Sequence, residues 1–336
     1  MSARKGLVLS IIALTLATSS APACRPDWIS YFTTVSELSP DRYSWRKLTN
    51  EAGFPGGYNF PLFNFRNTLW VLRSEGNWFS KDGKNWTKSE LPPSGLNTGY
   101  QQYVQFKDSI YALGGMEGNY LNLKLDSRIM RTSDLKRWEV IAAKSELPAR
   151  VFYGATVSAG KIWLIGGFDG ARYYNDVWNS GDGVKWNRVA EHCAWAERCN
   201  PSALAFDGKM WLIGGGIIDR QNYNDAWYSA DGINRKQASD KIASQPVFGY
   251  SAIAFDGKMW LVGANRNGLF KSAMLVSSDG ENWKEEDAPW SPRGGVATCV
   301  YDERLFMTGG KYSVTENGNI KFIYNNDVWS MARSIQ

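Results

Sequence analysis

Apolar residues along this chain gather into short runs, and six of them share one form: a hydrophobic strand with an aromatic near its start, most ending in a glycine or glycine pair. They are Leu69-Trp70-Val71-Leu72, Ile110-Tyr111-Ala112-Leu113-Gly114-Gly115, Ile162-Trp163-Leu164-Ile165-Gly166-Gly167, Met210-Trp211-Leu212-Ile213-Gly214-Gly215, Met259-Trp260-Leu261-Val262-Gly263 and Leu305-Phe306-Met307-Thr308-Gly309-Gly310. After each run comes a polar loop of variable length, a second strand and, in several repeats, a tight turn S-x-D-G-x-x-W. The repeats close on Trp86, Trp138, Trp186, Arg235 and Trp283, at intervals of 52, 48, 49 and 48 residues. A period near 50 built of short strands and Gly, Asp and Asn turns predicts antiparallel propeller blades. The fold class is therefore all-β, a six-bladed β-propeller.

A single blade cannot bury both of its faces, so stability requires a closed ring. The last repeat stops after Asn326-Asp327-Val328-Trp329-Ser330-Met331, while Ser44-Trp45-Arg46-Lys47-Leu48 stands alone before the first repeat. This N-terminal strand is expected to complete the sixth blade.

The glycine doublets, the spaced tryptophans and the Asn-Asp-x-Trp strand starts at 175–178, 224–227 and 326–329 resemble kelch repeats over residues 44 to 332. The resemblance implies the propeller fold and says little of function, because kelch propellers include enzymes, carbohydrate-handling proteins and protein-binding scaffolds. The turns Ser80 to Trp86, Ser180 to Trp186, Ser277 to Trp283 and the degenerate Ser229 to Arg235 are similar to the Asp-box of sialidases but lack its extra residue between Asp and Gly. They read as hairpins in which Asp caps the turn, Gly takes positive φ and Trp packs between blades.

The termini add a location. Arg4 and Lys5, an apolar run from Gly6 to about Thr18 and the small-residue site Ala21-Pro22-Ala23 form a signal peptide over residues 1–23, followed by a tether over 24–43 and the propeller over 44–336. The apolar run is too short to span a membrane, so the expected product is exported, secreted or periplasmic, with no transmembrane segment. Cys24 stands where a bacterial lipoprotein carries its lipid, although Ala21 occupies the position usually held by Leu. A lipid anchor there and an unmodified cysteine both stay open. Loss of the leader lowers the formal charge from +5 to +3 with no basic run, which points away from nucleic acid. An oxidising compartment would suit a disulfide between Cys193 and Cys199.

Candidate chemistry is sparse. The one histidine, His192, is too few for the metal sites of kelch-type copper oxidases or zinc hydrolases, so no metal or other cofactor is expected. Counting 16 residues back from the first glycine of each run reaches Arg150, Arg198 and Arg293, but Thr98 and Val247 in two repeats. At the mouth of a central channel these guanidinium groups either hold an anion or tie loop carbonyls together. Trp195 and Trp290 precede two of them and suit either sugar stacking or wedging between blades. The loops after the doublets carry Glu117, Asn119 and Tyr120; Asp169, Arg172, Tyr173 and Tyr174; Asp219, Arg220, Gln221 and Tyr223; Asn265 and Arg266; and Lys311, Tyr312 and Glu316. By propeller symmetry they share one face, and loops are where function usually sits.

Two functional readings follow. The first is a binding module for a carbohydrate or a surface protein, and a closed ring with few free edges is expected to be monomeric. The second rests on resemblance to exported six-bladed kelch proteins that include sialic acid mutarotases: an enzyme on an acidic sugar whose carboxylate Arg150, Arg198 and Arg293 would hold. No catalytic residues carry over, because the loops match no identifiable motif. A purely structural propeller is the third possibility.

Overall fold

The computed structural model describes residues 43–90, 100–117, 123–266 and 269–334, with the side chains of Ala264 and Arg266 also left aside. The expected signal peptide, the tether and Cys24 lie outside the described residues. Among those described there is no helix, and so none long and apolar enough to cross a membrane.

Each repeat folds as a four-stranded antiparallel sheet in chain order. Blade three runs Gly154–Ser158, Lys161–Phe168, Tyr173–Ser180 and Asn187–Ala190 from axis to rim. The inner strands of the others are Leu62–Asn64, Gln102–Phe106, Ser202–Phe206, Ser251–Phe255 and Gly294–Tyr301. These strands pack blade two on three, three on four, four on five, five on six and six on one. The ring closes as the sequence suggests. Tyr43–Thr49 pairs antiparallel with Val328–Arg333, with Trp45 opposite Met331, and becomes the outer strand of blade six.

The seams between blades explain the aromatic at the head of each apolar run. In four turns the serine hydroxyl accepts the glycine N–H at 2.8 Å, and the aspartate Oδ1 accepts two further backbone N–H groups. The indoles of Trp86, Trp186 and Trp283 donate back to the glycine carbonyls. The glycine then lies flat on the previous blade's aromatic: Gly83 on Phe306, Gly183 on Tyr111, Gly232 on Trp163 and Gly280 on Trp211. A side chain there would strike the ring, and each glycine also has φ between 72° and 80°. Blade two keeps the turn with Thr132 and Asp134 but places Leu135 at the left-handed position, buried beside Trp70. Blade six has no such turn, because its third and fourth strands come from opposite chain ends. Tyr43 covers Trp260 instead, edge-on at 4.8 Å.

Candidate functional site

Six residues in the left-handed region lie at or just before the starts of the inner strands: Asn59, Tyr100, Phe152, Asn200, Gly249 and Gly295, with φ between 50° and 71°. Each lies two residues beyond the arginine position of its repeat. Backbone bonds pass from blade to blade through them. Asn200 N–H donates to Phe152 O, Gly295 N–H to Gly249 O and Asn59 N–H to Gly295 O, at 2.5 to 2.9 Å. Four of the six carry a side chain at positive φ, which costs on the order of 1 kcal/mol or more each and persists where the surroundings dictate it. They form a collar around the axis. Bridges from Val151 to Phe168, Cys199 to Gly216 and Phe248 to Asn265 tie the collar to the segments after the doublets, so those loops do gather around one mouth.

Arg150, Arg198 and Arg293 sit beneath that collar with side chains only 1 to 2 % exposed. Nη1 of each donates to the glycine carbonyl 16 residues on, which is the physical content of the spacing: Gly166, Gly214 and Gly309. Each also pairs with the aspartate of its Asn-Asp-x-Trp motif, Asp176, Asp225 or Asp327. The same aspartates accept the indole N–H of Trp178, Trp227 and Trp329. Tyr174 and Tyr223 cover two of the guanidinium groups at 4.0 and 4.3 Å. Of the two roles open to these arginines, their contacts are those of the one that ties carbonyls together. Their charge is neutralised inside the blade, where a lone charge would be costly. Blade five removes both members together, with Val247 and Ala273 at the equivalent positions, both buried.

Trp195 and Trp290 are wedges rather than stacking platforms. Trp195 is buried against Trp227 at 6.0 Å, and Trp290 against Trp45 at 4.5 Å and Trp329 at 5.9 Å. Trp290 and Arg293 do border a polar cleft of about 270 Å³, shared with Lys47, Glu51, Ser291 and Tyr324. The expected disulfide is absent: Cys193 and Cys199 are free thiols. Cys199 is fastened through its backbone to Gly216 in the apolar cluster under the mouth, while Cys193 packs with Trp163 and Val189 in a separate cluster. Burial pushes their thiols up to about 12 and about 11. Cys299, on the inner strand of blade six, is likewise buried and pushed up to about 12.

Among the loop residues, Asp169 serves its own turn, accepting the Ala171 and Arg172 N–H groups and the Tyr174 hydroxyl. Tyr173 stacks on Phe168 at 4.6 Å over Met116, Val151 and Phe152. Burial raises its hydroxyl pKa, with the Arg220 and Asp219 charges close by. Arg172 and Arg220 are exposed and form no salt bridge among the described residues. The side chain of Arg266 and residues 118–122, which include Asn119 and Tyr120, lie outside the described residues.

The most distinctive feature of the mouth was missed in the sequence. Strands Arg304–Glu316 and Asn319–Tyr324 form a long hairpin on blade six, turned at Asn317-Gly318 with both residues at positive φ. In its register Lys311 opposes Tyr324, Ser313 opposes Phe322 and Thr315 opposes Ile320, so these six share one face. Ile320, Phe322 and Tyr324 are 71, 42 and 47 % exposed. At the hairpin's base Tyr324 stacks on Tyr58 at 5.9 Å, and the Lys311 ammonium lies 3.9 Å from the Tyr58 ring centre and 4.5 Å from that of Phe322. Tyr58 and Tyr100 share a hydroxyl hydrogen bond of 3.0 Å, and Tyr100 meets Phe152 edge-on at 4.9 Å. An aromatic arc thus runs from hairpin to collar. The alternation Ile320-Lys321-Phe322-Ile323-Tyr324, between a doublet and the next Asn-Asp motif, was the available signal.

Comparison with known proteins agrees with this architecture. A family model described as the DUF6242 beta propeller domain matches residues 29–247. The solved structure titled "Structure of YjhT" superposes with a TM-score of 0.67 at 13 % identity, covering 84 % of this chain and 96 % of that one. At that identity the likeness is one of fold. No curated protein sequence matches the chain.

Proposed function

The chain belongs to the DUF6242 beta propeller domain family, and from that premise and the form of its loop face we propose that it is a binding module whose ligand is a carbohydrate. The observation that carries the reading is the exposed aromatic face of the blade-six hairpin, set beside a mouth built of Tyr58, Tyr100 and Lys311. Sugar rings present apolar C–H faces that pack on aromatic surfaces, and hydroxyls that need donors and acceptors within reach. Phe322 and Tyr324 offer the first. The paired tyrosine hydroxyls and the amides of Asn59 and Asn200 offer the second. Arg172 and Arg220, exposed on the loops of blades three and four, favour a glycan that also carries an acidic group.

With a leader expected over residues 1–23, the ligand is proposed to be extracytoplasmic. The proposal concerns binding alone. The acidic-sugar enzyme reading gave Arg150, Arg198 and Arg293 the substrate carboxylate, and their guanidinium groups are already engaged with Asp176, Asp225 and Asp327.

An array of neutral and acidic glycans probed with the wild type and a folded Phe322→Ala/Tyr324→Ala variant tests the reading. Binding by the wild type that falls at least about tenfold in the variant supports it. A wild type that retains no glycan would sink it and turn attention to a protein partner for the same aromatic face.

A further inference from the structure

One seam differs from the rest. In blade four Arg235 replaces the closing tryptophan, and its guanidinium folds back on its own turn, donating to the carbonyls of Ile233 and Gly232. The hydrogen bond of the missing indole is reproduced but its ring is not. Beside this exchange, on the face opposite the collar, a cleft of about 440 Å³ opens between blades three and four. That volume lies within the range of small-molecule sites.

The cleft walls are apolar: Trp163, Val189, Met210 and Ile233. Its polar residues are Ser158, Lys161, Asn179, Asn187 and Asp231. Asn179 lines it at 6 % exposure, yet its amide makes no hydrogen bond among the described residues. The fold does not require an amide there. Opposite the aromatic of each second strand the other blades carry Phe79, Arg131, Tyr228, Val276 and Ser330. Asn187 pairs with Asn179 across the strands, and Lys161 at the rim forms no salt bridge among the described residues. The acid that borders the cleft, Asp231, is committed to its own turn, accepting from Ser229, Ile233 and Asn234.

We propose that this seam is a second ligand site, separate from the loop face, for a small monocarboxylate with an apolar body. Its carboxylate takes the amide donors of Asn179 and Asn187 and the charge of Lys161, and its body lies against Trp163, Val189, Met210 and Ile233. The Asn179 amide opens onto the cleft without a protein partner, so a ligand oxygen there replaces water and breaks no protein hydrogen bond.

Calorimetric titration of the purified chain with phenylacetate, 4-methylpentanoate and the neutral phenylacetamide tests this. At least one acid should bind with a millimolar or better constant, and phenylacetamide about tenfold more weakly than phenylacetate. Ile233→Trp, which enlarges an exposed residue on the cleft wall, should weaken binding at least about tenfold without lowering Tm. Asn179→Leu should weaken binding at least about tenfold, while Tyr324→Ala on the loop face leaves it unchanged. Silence from both acids, or affinities equal to wild type in folded Ile233→Trp and Asn179→Leu, would overturn the proposal.

Discussion

Gly280 lies so close against the indole of Trp211 that a β-carbon on the glycine would fall within the ring's contact radius. The contact crosses a blade boundary and recurs around the propeller, so it serves as a register mark between sheets. Gly280→Ala combines positive φ with overpacking and should cost roughly 2–4 kcal/mol. Gly208, at φ 66° in an open turn with no neighbour in reach, isolates the backbone part, and Gly208→Ala should cost about 1 kcal/mol. Urea unfolding of the two variants checks the difference; equal losses would remove the packing argument.

The buried ion pairs give a second prediction. Arg198→Val strands Asp225 without its partner and should destabilise by about 3–5 kcal/mol. Arg198→Val with Asp225→Ala copies blade five and should recover much of that loss. A double-mutant cycle on unfolding free energies measures the coupling, and additive losses would show that the pair is not a unit.

The Asp turns predict an acid sensitivity. Burial pushes the carboxyls of Asp82 and Asp279 up, but hydrogen bonds from Asn85, Lys84 and Ser80, and from Asn282, Glu281 and Ser277, outweigh it and hold both at about 2 against an ordinary 3.8. The folded value lies below the unfolded one. Their stabilisation is therefore complete above about pH 4 and is lost as pH falls toward about 2. Urea midpoints measured through that window should drop, and Asp279→Asn should flatten part of the drop. An unchanged slope in that variant would deny the turn its share.

Much of this architecture was legible before any coordinates. The aromatics and the S-x-D-G turns were both visible, and at positions 111, 163, 211 and 306 they proved to be two sides of one inter-blade contact. Tyr43–Thr49 could be assigned to blade six because the last repeat lacked an outer strand. The arginine spacing was real, but spacing cannot say which way a guanidinium points. Arg150 and Asp176 lie 26 residues apart in different motifs, and only the fold brings them to 2.7 Å. Cys193 and Cys199 were close in sequence yet belong to different clusters, since backbone pairing with Gly216 commits Cys199 to the collar side. The hairpin at 304–324 was hidden because its strands look like an ordinary variable loop when each blade is compared with the repeat.

The central claim is that ligand meets the chain at the hairpin and collar. Hydrogen–deuterium exchange on the purified chain, with and without the strongest glycan from the array, locates the contact directly. The account expects slower exchange in 311–324, 57–60 and 100–103, with little change in the turns at 207–210 and 277–283 on the opposite face. Protection confined to those turns, or to the seam at Gly232 and Asn179, would contradict it.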